Sequence, residues 1–383
     1  MSTTAVGILG YGETKHVKRT DRTLFSFFAE AALQAVSSAG LKKDQIDGLA
    51  VSSFFLAPDN AVTLSEQFGL SISWAWQFSA GSAGPVAGVM DAVRAVQAGQ
   101  AEYVLCLAGD LYSVAAHYKL MRNFNHSLNN YAAPHGFGGP NGLFGIIQRK
   151  YMEKYGLKAE QLGKIAVAQR DNALLNENAV FRTPLTLDDY LNSRMIADPI
   201  RLYDCVLPVA GADAVIVGPL TGTGKGVKVL SGYEQHNYPP GEVCPLSGGW
   251  EVFRDRLYED AGYGPEQMDF IENYDDYPIM SAIQLEDLGF CAKGEVGDYI
   301  DAHSFTWDGD VPMNTGGGQL SVGQAGAGGG LMSVVEATRQ IRGEAGARQI
   351  ATAERAVVAG YGMVGYGHGL SASAIVVEGE NAK

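Results

Sequence analysis

Only four cysteines occur in 383 residues, Cys106, Cys205, Cys244 and Cys291; they lie far apart and show no CxxC spacing. That argues against a zinc site and against a disulfide framework, and it suits a reducing cytoplasm. No stretch of about 18 apolar residues is found, so no helical membrane span is expected. The opening MSTTAVGILGYGETKH has no basic segment leading into a long apolar one and does not read as a secretory signal. Basic residues are also scarce: 28 Lys and Arg face 42 Asp and Glu, a formal charge of −14, with no Lys/Arg-rich run. A nucleic-acid role is therefore not expected, because phosphate contacts need a clustered basic surface. An anionic ligand would have to find a local basic patch. What is present, 46% hydrophobic and 18% charged residues, is the composition of a globular chain with a generous core. The length fits about two or three domains.

Glycine, 49 residues, falls in clusters between apolar segments. Val6 to Gly10 reads as a buried strand, and Thr23 to Ala39 as a helix with Leu24, Phe27, Phe28, Ala31, Ala32 and Ala35 on one face. Residues 46–52 and 103–109 read as further strands, with a helix of small residues at 85–98 between them. Residues 111 to about 200, rich in Asn, Tyr and His, with helical pieces near 141–156 and 159–178, interrupt this rhythm like an insertion over the core. A strand resumes at 212–217, and TGTGKG (221–226) is a plausible junction. Strands near 227–230, 356–359 and 373–377 and helices near 247–261, 278–288 and 331–342 then repeat the earlier order. The alternation predicts a mostly parallel sheet, and the recurrence predicts a duplication into 1–222 and 223–383.

The segments IQLEDLGFCAKGE (283–295), VPMNTGGGQL (311–320) and VVEATRQIRGEAG (334–346) are specific, and NSRMIADPIRLYDC (192–205) and APHGFGGPNG (133–142) support them. Together they resemble the thiolase superfamily, in particular its sterol-carrier-protein or lipid-transfer branch, over nearly the whole chain. The resemblance implies an α/β thiolase fold: two duplicated βαβαβαββ halves in a five-layered arrangement, a loop domain inserted at about 111–200, and a homodimer.

The residues thiolases use are missing. Their nucleophilic cysteine sits at the N-terminus of the small-residue helix, where the dipole favours a thiolate. Here that region reads FSAGSAGPVAG, which puts Ser82 or its neighbour Gly81 at the position. A serine needs a base to act, and its other reading is a helix cap. The NxH motif is Asn314-Thr315-Gly316, the GHP motif is Gly323-Gln324-Ala325, and no cysteine follows Cys291. Acyl-enzyme thiolysis has no evident route.

ENYDDYP (272–278) lies where the family carries an oxyanion motif. Tyr274 there is a candidate donor to an enolate or, if its pKa of about 10 were lowered, a base; Asp276 stands beside it. The tail GYGMVGYGHGLSAS (360–373) offers Tyr361, Tyr366 and His368 for proton exchange. His135, His236 and Tyr238 are weaker candidates. Ser82, Asn314 and Gly316 are oxyanion or positioning candidates. Gly316–Gly318 and Gly326–Gly330 would let backbone N–H groups approach a thioester, or serve tight packing. Arg182, Arg194 and Gly326 are assigned to coenzyme A, with Arg149, Lys150 and Arg201 as further basic candidates.

Three uses remain open. The first is retro-aldol cleavage of a β-hydroxyacyl-CoA of steroid side-chain type, as the resemblance to the aldolases of this branch implies, with a small OB-fold/zinc-ribbon companion. In that case coenzyme A enters as part of the substrate, and no tightly bound cofactor or metal is expected. Against it, SVGQAGAGGG (321–330) offers no tyrosine. The second is a non-catalytic acyl-CoA-binding or scaffold subunit, and the third an acyltransferase without a catalytic cysteine.

Overall fold

Apolar runs separated by glycines build one continuous sheet here. The computed structural model describes residues 5–121, 126, 128–136, 139–364 and 369–382. Its elements are β1 (Val6–Glu13), α1 (Leu24–Ser38), β2 (Gly48–Ser52), α2 (Ala61–Phe68), β3 (Trp74–Gln77), α3 (Ala83–Gln97), β4 (Val104–Leu111) and α4 (Val114–Met121). The chain continues through α5 (Pro140–Tyr155), α6 (Ala159–Leu174), α7 (Leu187–Leu191), β5 (Met195–Ala197), β6 (Ile200–Arg201), β7 (Ala210–Pro219) and β8 (Val227–His236). It ends with α8 (Arg254–Ala261), β9 (Phe270–Glu272), α9 (Pro278–Asp287), α10 (Val296–Ala302), α11 (Gly318–Val322), α12 (Gly329–Ile341), β10 (Arg355–Val364) and β11 (Gly369–Gly379).

Nine strands pair in the order β3-β2-β4-β7-β1-β8-β11-β10-β9, and β5 and β6 form a separate hairpin. The order is mirrored about the β1–β8 seam, which is itself short: only Gly7–Lys228 and Ile8–Val227 are paired. The expectation of a mostly parallel sheet is corrected. β2 runs parallel to β3 and β4, and β9 to β10, but every pairing from β4 through β7, β1, β8 and β11 to β10 is antiparallel. The reason is local. β10 and β11 are neighbours in sequence and pair antiparallel, and the long insertion after β4 returns the chain beside it in the opposite sense.

Five layers result. Phe27, Phe28, Ala31 and Ala35 of α1 pack with Leu49, Val51, Leu105 and Leu107 on the outer face of the first set of strands. α3 and α12 form the middle layer, where Val86, Val89, Val93, Leu331 and Val334 meet strands from both sides of the seam. The outer face of the second set is covered by residues of α5, α6, α8 and α9. Helix α3 tolerates this sandwich because its side chains are small and it is buried along most of its length. Where it begins, a Cβ on Gly330 would lie 2.0 Å from the Ser82 carbonyl oxygen and one on Gly360 2.2 Å from it. Only glycine permits that approach.

Two groups of charges are held in this interior. Glu336 of α12 accepts from Arg339 at 2.5 Å and from Arg348 at 2.8 and 3.0 Å, while Arg339 also reaches Glu13 at 2.8 Å. The Thr315 hydroxyl lies 3.0 Å from both Glu336 and Glu272 and bridges them, with one proton to share between the two contacts. Asp213 of β7, paired across the sheet with Glu13, has no hydrogen-bond partner among the described residues on either carboxyl oxygen. Burial, with the charge of Glu13 added, pushes its pKa well above the ordinary value. An unfolded aspartate titrates near 3.9, so the folded state binds the extra proton between there and its own raised pKa. The Asp213 contribution to stability is thus most favourable at low pH and falls as pH rises through that interval. Asp213→Asn removes this loss and is expected to raise the thermal midpoint by a few degrees at pH 8 and to change it little at pH 4, as scanning calorimetry at both pH values would show.

Candidate functional site

Strand β9 ends at Glu272 and α9 begins at Pro278, whose missing N–H costs nothing at a helix start. The five residues between them cross the carboxyl end of the sheet. Asp276, 9% exposed, is the most accessible of the five, against 5% for Tyr274 and 1% for Asp275. The Tyr274 hydroxyl donates to Asp276 Oδ2, and Gln324 Nε2 donates to Oδ1 at 2.5 Å. Burial raises the Asp276 carboxyl to about 7, with the Tyr274 hydrogen bond pulling the other way. Asp275 is likewise lifted to about 7 by burial, although it accepts from the Gln319 and Leu320 N–H groups at 2.8 and 3.2 Å.

From Asp276 a chain of polar contacts leads to the head of α3. Gln324 Nε2 also lies 3.3 Å from Gln319 Oε1, which accepts from Ser82 Oγ at 3.3 Å. Asp110 of β4 closes the other flank. It accepts from Ser53 Oγ at 2.5 Å and from the N–H groups of Phe54, Phe55 and Ala327, and burial raises it to about 6. Past the end of β4, Tyr112 is buried with its hydroxyl 2.5 Å from His117 Nδ1. Tyr277 donates to Asn141 Oδ1 at 2.5 Å, and Cys205 Sγ lies 3.8 Å from the same oxygen. The Asp276 charge acts on Tyr112, Tyr277 and Cys205 alike, and the Cys205 thiol, raised first by burial, stands at about 12. It is no nucleophile at neutral pH.

Several expectations from sequence change here. Tyr274 is not placed to act as an ionised base: burial and the neighbouring Asp276 carboxylate drive its pKa upward, so it serves as a donor. Ser82 heads α3 but its side chain makes no capping hydrogen bond, and its partner, an amide oxygen, is no base. Asn314 Nδ2 is bound to Asn273 Oδ1 at 2.9 Å and its Oδ1 accepts from the Asn273 N–H at 2.8 Å, so the amide is spent inside the fold. Gly316 lines a water-sized interior void with Glu13, His16, Glu272 and Arg339, apart from Asp276. Gly326, with φ +58°, lies so close to Asp110 that a Cβ would fall 2.1 Å from its carboxylate. The glycine runs thus deliver N–H groups to the protein's own carboxylates.

Arg194 is exposed, and its charge reaches Cys205 at the rim of the site. Arg182 is exposed, and among the described residues no contact joins it to Asp276. Arg149, Lys150 and Arg201 are tied to Asp198, to Glu242 and the Cys244 carbonyl, and to the Leu191 and Ser193 carbonyls. His236 bonds Ser371 at 2.9 Å, Tyr238 bonds Glu251, and His135 is exposed. Tyr361 is buried, its ring tilted against Trp250 at 4.9 Å and edge-on to Tyr274 at 5.7 Å, and it is bonded to Gly369. Tyr366 and His368 lie outside the described residues. Among the described residues, no group of three His, Cys, Asp or Glu side chains could hold a metal ion, and no helix is long and apolar enough to cross a membrane.

Gln319, Gln324, Asp110, Tyr112, His117 and Asn141 were not singled out as site residues from the sequence. Gln324 had a signal, since it stands in place of the GHP histidine. The segment 283–295, so useful for recognition, is structural: Glu286 accepts from Tyr151 and the Gly294 N–H, and Lys293 bridges Glu286 and Asp287 at 3.1 and 3.0 Å.

Residues 250–376 match the family described as thiolase C-terminal domain-like. A steroid side-chain-cleaving aldolase of Thermomonospora curvata is 29% identical over 364 residues, covering 88% of this chain and 90% of the relative. A 17-hydroxy-3-oxo-4-pregnene-20-carboxyl-CoA lyase of Mycobacterium tuberculosis is also 29% identical, covering 88% and 91%. Among solved structures, an Ltp2-ChsH2(DUF35) aldolase superposes with a TM-score of 0.82 at 26% identity, covering 98% of each chain. The chain has the thiolase fold, and the proteins it is similar to belong to the thiolase superfamily. It resembles the sterol-carrier-protein branch, and in particular the steroid side-chain aldolases.

Proposed function

We propose that the chain is a lyase that cleaves a β-hydroxyacyl-CoA of steroid side-chain type by a retro-aldol reaction. The observation that carries this is Asp276: a buried carboxyl raised to about 7, gripped by Tyr274 and Gln324, in the segment that replaces the oxyanion motif. A base poised near the working pH is what removal of the β-hydroxyl proton asks for. Tyr274 orients that carboxylate, and the N-terminal dipole of α3, headed by Ser82, favours charge developing on a thioester oxygen nearby. Arg194 at the rim is the basic group best placed for a coenzyme A phosphate.

The chain works in the cytoplasm as a homodimer joined to a DUF35-type companion of OB-fold/zinc-ribbon architecture. Edge strand β3, paired only with β2 among the described residues, supports the dimer. The name of the solved ChsH2(DUF35) complex supports the companion. The test is co-purification with the companion, followed by mass spectrometry of a β-hydroxyacyl-CoA panel. A ketone plus a shortened CoA ester is the expected result. CoA-ester binding by the complex without turnover would turn the reading to a scaffold subunit, and an acyl label on Ser82 would turn it to an acyltransferase.

A further inference from the structure

Retro-aldol cleavage needs two proton movements, one at the β-hydroxyl and one at the carbon left behind, and Asp276 accounts for only the first. The second needs a donor facing the same site but separate from the Asp276 pair. Tyr274 donates to Asp276, Tyr277 to Asn141, and Tyr361 to the Gly369 carbonyl. Tyr112 differs, because its partner is an imidazole nitrogen that can either accept or donate. It sits two residues beyond Asp110, whose carboxylate binds the N–H of Ala327 in the same loop that sends Gln324 to Asp276. The charges of Asp276 and Asp110 both act on it. Its ring packs 5.7 Å from Phe55, and its partner His117 is only partly buried, on the first turns of α4.

The geometry points to Tyr112 as the catalytic acid that protonates the α-carbon, with His117 as the positioning residue that holds and reloads its hydroxyl. This rests on the lyase reading. In the step, Asp276 takes the β-hydroxyl proton and the O–H electrons become the ketone double bond. The Cα–Cβ bond breaks and its pair enters the thioester enolate. Tyr112 then gives its proton to Cα. With Nδ1 protonated, His117 donates to the phenol oxygen, leaves the phenol proton free for the substrate, and replaces it from solvent through Nε2. Asp276 returns its proton to solvent, so none is gained or lost overall. Burial keeps Tyr112 protonated beforehand, and a thioester carbanion is a strong enough base to take its proton.

The two proton sites can be read separately. The full chain in complex with its companion is incubated with propionyl-CoA in D2O, without ketone, and deuterium at the α-carbon is followed by mass spectrometry. The wild type is expected to exchange. Tyr112→Phe is expected to slow exchange by at least about 100-fold. His117→Ala is expected to lose exchange and regain it on addition of imidazole. Tyr112→Phe exchanging at the wild-type rate overturns the assignment and leaves the lyase reading standing. A wild type that exchanges no α-proton removes both. Loss in His117→Ala without imidazole rescue reduces His117 to packing and overturns the relay.

Discussion

Asp276→Asn is expected to lower the cleavage rate of a β-hydroxyacyl-CoA by about 10²–10⁴-fold with little effect on thermal stability. The substitution keeps the side-chain shape and an oxygen to accept from Gln324, removes the ionisation, and turns the contact with Tyr274 round so that the new amide N–H donates to the phenol oxygen. Because the base acts when deprotonated, the wild-type kcat/KM is expected to climb with pH and level off above about 7, following the raised Asp276 carboxyl. The Tyr274 hydrogen bond is what lowers that pKa against burial. Tyr274→Phe should therefore move the rising limb to higher pH while retaining part of the plateau rate. A pH–rate series on the three proteins, followed by ketone release, checks all of this; an Asp276→Asn variant with the wild-type rate would remove Asp276 from the mechanism.

Glu336→Ala is the substitution with the largest expected cost to the fold. Glu336 lies in the middle layer, where it neutralises Arg339 and Arg348 and accepts from Thr315. Its removal leaves two buried guanidinium groups with one carboxylate, Glu13, between them. Breaking a buried pair by deleting one partner costs about 3–5 kcal/mol. Burial alone would raise the Glu336 pKa, but Arg339 and Arg348 outweigh it and hold the carboxyl below its ordinary range, at about 2. Its stabilisation is present above the ordinary glutamate pKa of about 4.3 and is lost as pH falls toward the folded value. Urea unfolding of wild type and Glu336→Ala is expected to show a wide gap in midpoint at pH 7 that narrows by pH 3, with the slope unchanged.

Strands such as β4 and β7 were legible because both faces are buried and their apolar runs are unbroken. α1, α3, α5, α6, α9 and α12 were legible because each runs ten residues or more with clear boundary residues. β3 and β9 escaped notice at four and three residues, too short for periodicity to register. The sense of the central strands was misjudged because alternation alone does not say where an insertion returns the chain. At the site, the segment holding Tyr274 and Asp276 stood out by its chemistry. The neighbours that tune it could not, since Gln324, Asp110 and Tyr112 come from distant parts of the sequence. The role of Asn314 was misjudged for a related reason: an amide in a motif position reads as available until its partner, Asn273, is seen.

The buried carboxyls change what the molecule looks like from outside. Asp110, Asp204, Asp213, Glu272, Asp275, Asp276 and Asp287 are all fully or almost fully buried, and all have raised pKa values, several of them close to neutrality. The formal charge of −14 and the sequence isoelectric point near 4.9 count each of them as an ordinary ionised acid. The folded chain is therefore less anionic than its composition, and its electrophoretic mobility around pH 6 should fall short of that of the unfolded chain. For a polyanionic thioester arriving from solution, that gap is a weaker electrostatic barrier than the letters alone would set.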